Sequence, residues 1–250
     1  AKALISRLLR DGAWVFALTR NKAGCPAARP GSLNVYETDI SDAGALKNLA
    51  IPENVDAVVH LAASLDYFGD YKKLLRVNTG GTAGLLDWAR KNGVKRFVFV
   101  SSIEAMGAVS EGGMPADETV PPAPFSAYGR SKLEAEKLVE QFSGEKIMLR
   151  LGNVYGPPSS ALIMPLADAI LNQGRLLKLL PGYGELRISP VFISDAVDGI
   201  VKALKPGAPG GVYIIAGETP VTIAELFAGV ARELGKDIKP RPCCAGAVNA

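Results

Sequence analysis

Short apolar runs closed by glycine, proline or polar residues alternate along the chain with stretches whose apolar positions recur at three and four residues. The first pattern predicts strands buried on both faces, and the second predicts amphipathic helices. Leu4, Ile5, Leu8 and Leu9 carry helical spacing until Gly12 stops it, and a strand follows over 13–18. A loop rich in Pro and Gly (24–31) leads to a strand at 34–37 and a helix capped by Ser41 or Asp42 that runs to about Leu49. Residues 56–63 form a near-continuous apolar strand. The spacing then predicts one long helix over 71–91 ended by Gly93, a strand over 96–100, a helix opening at 126–132 and a strand over 146–151. Such alternation implies right-handed βαβ units, hence an α/β fold with a doubly wound parallel sheet.

After Gly152 the rhythm changes. Residues 153–158 read as a turn, 163–173 as a helix, 191–193 as a strand, 195–204 as a helix, 211–216 as a strand and 223–234 as a helix. The expectation is a sheet domain over 1–153 plus about 188–205, and a smaller mixed C-terminal lobe from about 154–187 and 206–250. The chain opens inside a helix, without Met and with no strand ahead of it, which reads as a copy incomplete at its N-terminus.

Chemistry concentrates between Val98 and Glu136. The strand ending at Val100 delivers two hydroxyls, Ser101 and Ser102, and the next helix opens with Tyr128 and Lys132 four residues apart. On a helix that spacing puts both side chains on one face. A phenol of pKa about 10 is a poor acid or base at neutral pH, and a neighbouring ammonium favours its phenolate. With a strand-end hydroxyl beside it, the pair is equipped to pass a proton to or from a carbonyl or alcohol oxygen while hydride moves at carbon.

Composition narrows the choice. With 28 Lys and Arg against 25 Asp and Glu the net charge is +3 and both signs are scattered, so nucleic acid is not indicated and an anionic small molecule is compatible. Cys25, Cys243 and Cys244 lack metal-ligand spacing, and their odd number argues against a disulfide framework, which fits a cytoplasmic, reducing setting. The one histidine, His60, leaves no room for a His-rich metal site and little for a histidine-based triad. At a buried strand's end it reads as a hydrogen-bonded structural residue. No apolar run approaches the ~18 residues of a membrane span, so neither a metal nor a membrane is expected.

Taken in order, a set of segments resembles the extended short-chain dehydrogenase/reductase family, the NAD(P)-dependent epimerase/dehydratase group. The segments are Asp39–Ile40, His60 to Ala63, Val77 to Thr82, Val100 to Ser102, Tyr128 with Lys132, Leu149 to Pro157, and Arg187 ahead of Asp195. The resemblance covers nearly the whole chain and implies a Rossmann-like dinucleotide-binding domain and a substrate-binding C-terminal lobe. It implies that Tyr128 is the general acid–base, that Lys132 holds the nicotinamide ribose and tunes Tyr128, and that Ser102 hydrogen-bonds the reacting oxygen. Asp39 and Ile40 would border the adenine, and Leu61, Ala62, Ala63, Asn78 and Ser101 would lie along the cofactor. Asp66, Asn153 and Arg187 would face the substrate, in many relatives a nucleotide-sugar diphosphate. A homodimer through the two long helices is a further implication, although Leu85, Leu86, Trp88, Leu133 and Leu138 read first as core faces.

The chain also departs from the family pattern. The Gly-rich phosphate loop expected ahead of the first helix is missing, so a pyrophosphate would lack its principal cradle. Met106 stands where relatives usually carry Tyr, and Phe192 where many carry His. Glu104 matches the position of a base in dehydrating or decarboxylating relatives, but Ile103 replaces the accompanying Asp, and a partly exposed glutamate beside the site is the competing reading.

The strand at 13–18 ends in Thr19–Arg20–Asn21–Lys22, with no acid for a ribose 2′-hydroxyl and an Arg to accommodate a 2′-phosphate. NADP is therefore favoured over NAD, against the alternative that Arg20 and Lys22 are solvated loop charges. The expected activity is hydride transfer at a hydroxyl or keto carbon of a nucleotide sugar, giving epimerisation, or dehydration if Glu104 acts. One alternative is an NADPH-dependent reductase of a non-sugar ketone or alcohol, like the dihydroflavonol-reductase or 3β-hydroxysteroid-dehydrogenase relatives, which Met106 and Phe192 would suit. Another is a cofactor-sensing regulator without catalysis.

Overall fold

The computed structural model describes residues 1–51, 54–65, 70–108, 116–157, 162–173, 179–181, 186–236 and 241–243. Asp66, expected to face substrate, lies outside them. The chain divides into two compact units, Ala1–Leu151 with Val197–Ile215, and Gly152–Ala196 with Ala216–Ala250.

The first part of the chain runs α1 (Lys2–Arg10), β1 (Val15–Thr19), β2 (Leu33–Glu37), α2 (Ala43–Lys47), β3 (Ala57–His60), α3 (Tyr71–Leu74), α4 (Gly81–Lys91), β4 (Arg96–Ser102), α5 (Ala127–Glu140) and β5 (Glu145–Leu151). It continues with β6 (Asn153–Tyr155), α6 (Ile163–Gln173), β7 (Leu179–Pro181), β8 (Arg187–Ile188), β9 (Pro190–Phe192), α7 (Ile193–Leu204), β10 (Gly211–Ile215), β11 (Val221–Thr222), α8 (Ile223–Glu233) and β12 (Arg241–Cys243).

In the first unit a four-stranded parallel sheet has the order β10-β5-β4-β3, and β1 and β2 pair as a separate parallel ribbon. Successive strand residues point to opposite faces. Phe97, Phe99 and Met148 therefore bury together against Leu85, Leu86, Trp88 and Ala89 of α4 and Ala135 and Val139 of α5. Val98, Ile147 and Leu149 bury on the other face against Leu4 of α1 and Val197, Ile200 and Ala203 of α7. Each Val, Leu, Ile, Phe or Met among them contributes about 1.5–3 kcal/mol by leaving water. Helices on both faces of a parallel sheet make the unit a doubly wound, Rossmann-like α/β fold, as the continuous apolar strands predict.

Three departures from the sequence-based expectation matter. The helix over 71–91 is not uniform: Leu75–Gly80 is wound as a π-helix between α3 and α4. Single π segments are frequent at functional sites, and the apolar period alone does not reveal the extra residue per turn. Second, residues 211–215 belong with the first unit rather than the C-terminal lobe, because β10 pairs with β5 from Gly211↔Ile147 to Ile215↔Leu151. Third, Asn153–Tyr155 is a strand rather than a turn, paired in parallel with β9.

The second unit holds short pairs, β6 with β9, β8 with β11 and β7 with β12. A small core of Ile170, Phe227 and Ala231 joins α6 to α8. Thr222 and Glu225 form a capping box at the start of α8, satisfying two backbone donors reciprocally. Among the described residues no helix is long and apolar enough to cross a membrane.

Candidate active site

The site of the first unit is built where β4 hands over to a 3-10 turn, Ile103–Ala105, and where α5 begins. Ser102 caps that turn, its Oγ accepting the Glu104 amide at 3.2 Å. A hydroxyl that accepts through a lone pair still has its hydrogen to donate. Ser126 caps α5 in the same way, accepting from the Gly129 amide at 2.9 Å, and its own hydroxyl donates to Glu104 Oε2 at 2.8 Å. The turn and the helix start are pressed together at Gly129, where a Cβ would lie 2.2 Å from the Glu104 carbonyl oxygen. Only glycine lets this helix approach so closely.

From that start α5 carries Tyr128 and Lys132, both buried, with Lys132 only 2% exposed. The Lys132 Nζ donates to the Val100 carbonyl at 2.8 Å and stands 4.1 Å from the centre of the Phe99 ring. Burial pushes the ammonium down from 10.5 to about 7, against an opposing pull from Glu136. His60, on β3 beside the Phe99 ring, is pushed down from 6.5 to about 3, first by burial and then by the charge of Lys132. His60 is therefore neutral, and its Nε2 lies 2.9 Å from Thr82 Oγ1. Thr82 spends its hydroxyl hydrogen on the Asn78 carbonyl at 2.5 Å, so Nε2 must be the donor.

Two residues expected along a cofactor have their side chains committed elsewhere. The Ser101 hydroxyl, on the same sheet face as Phe99, donates to Glu136 Oε1 at 2.5 Å. Asn78, from the π segment, accepts the Ser64 amide at 2.7 Å and donates to the Ser64 carbonyl at 3.1 Å and to Ser131 Oγ at 2.9 Å. It thereby ties the loop after β3 to α5. With its hydrogen spent on Glu136, the Ser101 hydroxyl has only acceptor lone pairs left. Leu61 packs into the sheet core, while Ala62 is exposed and Ala63 half-buried.

At the end of β2, Asp39 accepts from the Ser41 amide at 2.9 Å and the Ser41 hydroxyl at 2.8 Å. Those bonds hold its carboxyl below the usual carboxylate range, with further lowering from the charges of Arg20 and Arg76. Ile40 packs on the helix, and a Cβ on Gly81 would lie 2.7 Å from its Cδ1. Lys22 instead makes an exposed ion pair with Glu37 at 3.8 Å.

The second unit holds the expected substrate residues Asn153 and Arg187. Asn153 opens β6, its amide donating to the Ser189 carbonyl at 3.1 Å. Arg187 is exposed opposite Thr222, where its charge adds to the hydrogen bonds that depress the Glu225 carboxyl. Phe192 is 39% exposed, its ring 5.3 Å edge-on from Tyr155, and a Cβ on Gly156 would lie 2.3 Å from it. Met106, in the first unit, is buried.

Sequence reasoning missed Glu136, Arg150 and Arg76. Arg150 had a signal, a charge within the apolar run from Ile147 to Leu151, and Glu136 repeats the spacing of Tyr128 and Lys132 by one more turn. Arg76 had none: it lies in the π segment, and its charge reaches Asp39 from there.

The chain belongs to the NAD dependent epimerase/dehydratase family, whose model matches residues 1–216. It is 33% identical over 212 residues to the UDP-glucose 4-epimerase of Vibrio cholerae, covering 79% of this chain and 63% of that protein. It is 30% identical over 187 residues to the 3beta-hydroxysteroid dehydrogenase/Delta(5)-Delta(4) isomerase 1 of Caenorhabditis elegans, covering 68% of this chain and 39% of that protein. The chain thus spans less than two thirds of the length of either relative. Among solved structures, the Thermus thermophilus UDP-glucose 4-epimerase in complex with NAD has a TM-score of 0.81 at 25% identity, covering 97% of this chain and 83% of that one.

Proposed function

We propose that this chain carries the hydride-transfer site of an NAD(P)-dependent enzyme acting at a hydroxyl or keto carbon of a nucleotide sugar. One observation carries the reading: a buried ammonium, at a pKa of about 7, lies one helical turn from a buried tyrosine, on a helix whose first turn is pressed against the turn that the strand-end Ser102 caps. Tyr128 passes the proton to or from the substrate oxygen, Ser102 orients that oxygen through its hydroxyl hydrogen, and Lys132 supplies the positive charge that favours phenolate. The nicotinamide, when bound, supplies the hydride acceptor or donor. Glu104 acts as the anchor of the α5 cap rather than as a base, since its carboxylate receives the Ser126 hydroxyl.

The residues present fit the adenosine end of such a cofactor. Asp39 and Ile40 lie at the end of β2, Ala62 is exposed after β3, and Arg20 and Arg76 place two cations around Asp39. Two guanidinium groups suit a 2′-phosphate, which favours NADP. For the substrate, the Vibrio and Thermus relatives are named for UDP-glucose, and the exposed Arg187 offers a fork for a diphosphate.

A second reading, reduction of a non-sugar ketone, is favoured by the C. elegans relative and by the half-exposed Phe192 ring. Turnover separates them. Net consumption of added NADPH with a ketone supports the reductase, whereas interconversion of UDP-sugars without net cofactor change supports the epimerase reading.

A cytoplasmic homodimer completes the proposal. Its support is the free, half-buried thiol of Cys25 and an open apolar groove of about 500 Å³ between α3 and α5, lined by Tyr71, Phe125 and Leu133. Sedimentation of wild type against Phe125→Asp tests the dimer.

A further inference from the structure

We infer that Glu136 is a positioning residue for the Tyr128–Lys132 pair: clamped by Arg150 and Ser101, its carboxylate is held one helical turn from Lys132 and balances the charge of that buried ammonium. The consequence for turnover rests on the proposed function; the consequence for Lys132 does not.

Glu136 lies one helical turn beyond Lys132 on the same face of α5. It is 4% exposed, as is Arg150 of β5. Arg150 donates from Nε to Oε1 at 3.1 Å and from Nη2 to Oε2 at 2.8 Å, the forked geometry that holds a carboxylate in one plane. The Ser101 hydroxyl adds a third bond. The same strand end also holds Lys132, so consecutive β4 residues fix both members of the pair: the Val100 carbonyl receives the ammonium, and the Ser101 hydroxyl fixes the carboxylate.

Among the described residues, the groups set around Lys132 are Glu136 one turn on along α5, the neutral His60 on β3, and the Phe99 ring and Val100 carbonyl of β4, while Arg150 of β5 meets Glu136. In a dry interior each buried cation is costly unless an anion stands with it. Glu136 compensates Arg150 and pulls the Lys132 ammonium up against burial. Without it, Lys132 would lose that pull and give up its proton more readily. Tyr128 would then lose the positive charge that favours its phenolate.

The test reads Lys132 directly. Lysine ε-carbon resonances of the full chain are followed against pH by NMR, with Lys132→Met assigning the signal. In Glu136→Gln the Lys132 midpoint falls from about 7 to about 6 or lower, and Glu136→Asp restores much of the difference. The alkaline limb of the turnover profile, where the Lys132 ammonium loses its proton, moves to lower pH in Glu136→Gln. A Glu136→Gln/Arg150→Met double variant removes both charges and keeps the measurement available should the single variant not fold. Its midpoint lies below the wild-type value. An unchanged Lys132 midpoint in the folded single or double variant overturns the inference. A midpoint that falls, in a wild type that shows no turnover with any tested substrate, upholds the role of Glu136 and sinks the hydride-transfer reading instead.

Discussion

His60 is the most direct probe of how dry the interior around the site is. The unfolded chain takes a proton on its imidazole near pH 6.5, while the folded chain resists until about 3. Between those values the unfolded state binds more protons, so stability rises with pH through the window and is lost as pH falls through it. About 3.5 pH units at about 1.4 kcal/mol each give a total near 5 kcal/mol, of which about 3 kcal/mol is lost by about pH 4.5. His60→Gln removes the titration while leaving an N–H donor for Thr82. Urea unfolding of both proteins from about pH 8 to about pH 4.5 should therefore show the wild type losing about 3 kcal/mol more than the variant. Trp88 fluorescence reports the event, since that residue is buried in the core next to Phe97 and Phe99. His60 is the only histidine, so its imidazole signal needs no assignment and should not titrate across this range. Parallel stability curves, or an imidazole midpoint near 6.5, would refute the buried neutral histidine and with it the low dielectric invoked for Lys132.

Three further outcomes follow from the same geometry. Gly129→Ala places a methyl on the Glu104 carbonyl, so it should destabilise by about 1–3 kcal/mol despite alanine's better helix propensity, and displacing α5 should cut turnover about 100-fold; thermal melts and steady-state rates check both. Lys132→Met should be more stable than wild type below pH 7. Burial lowers the amine from 10.5 to about 7, so between those values the unfolded chain keeps a proton the native chain has lost, and the wild type regains about 1.4 kcal/mol per pH unit as pH rises; urea midpoints at about pH 7 and about pH 9 read the change. Arg76→Ala should lower the preference for NADP over NAD by about 10-fold, with NAD affinity little changed, if its guanidinium meets the 2′-phosphate; titrations of the variant and the wild type with both cofactors decide it.

Much of this was legible in the residues because the governing rules are local. Two-residue periodicity in Phe97, Val98 and Phe99 fixed which side chains meet α5 and which meet α7, and four-residue spacing placed Tyr128 and Lys132 on one face. The caps at Asp42, Ser126 and Thr222 fall on residue types that favour them. What was not legible depends on partners far along the chain. The pairing of β10 with β5 is chosen by the sheet rather than by its own pattern, and the π segment inserts a residue without interrupting the apolar period. Ser101 and Ser102 look equivalent in sequence, but the pleat sends one hydroxyl to Glu136 and leaves the other to cap the turn that carries Glu104.

The central claim is that Tyr128 moves the proton while hydride moves at carbon. Comparing wild type with Tyr128→Phe, the most direct measurement is nicotinamide absorbance in a single turnover on UDP-glucose, with cofactor affinity measured alongside. The phenyl ring keeps the packing and removes the proton, so hydride transfer should fall by about 100-fold or more while cofactor binding stays nearly intact. Hydride transfer at the wild-type rate in Tyr128→Phe would contradict the account.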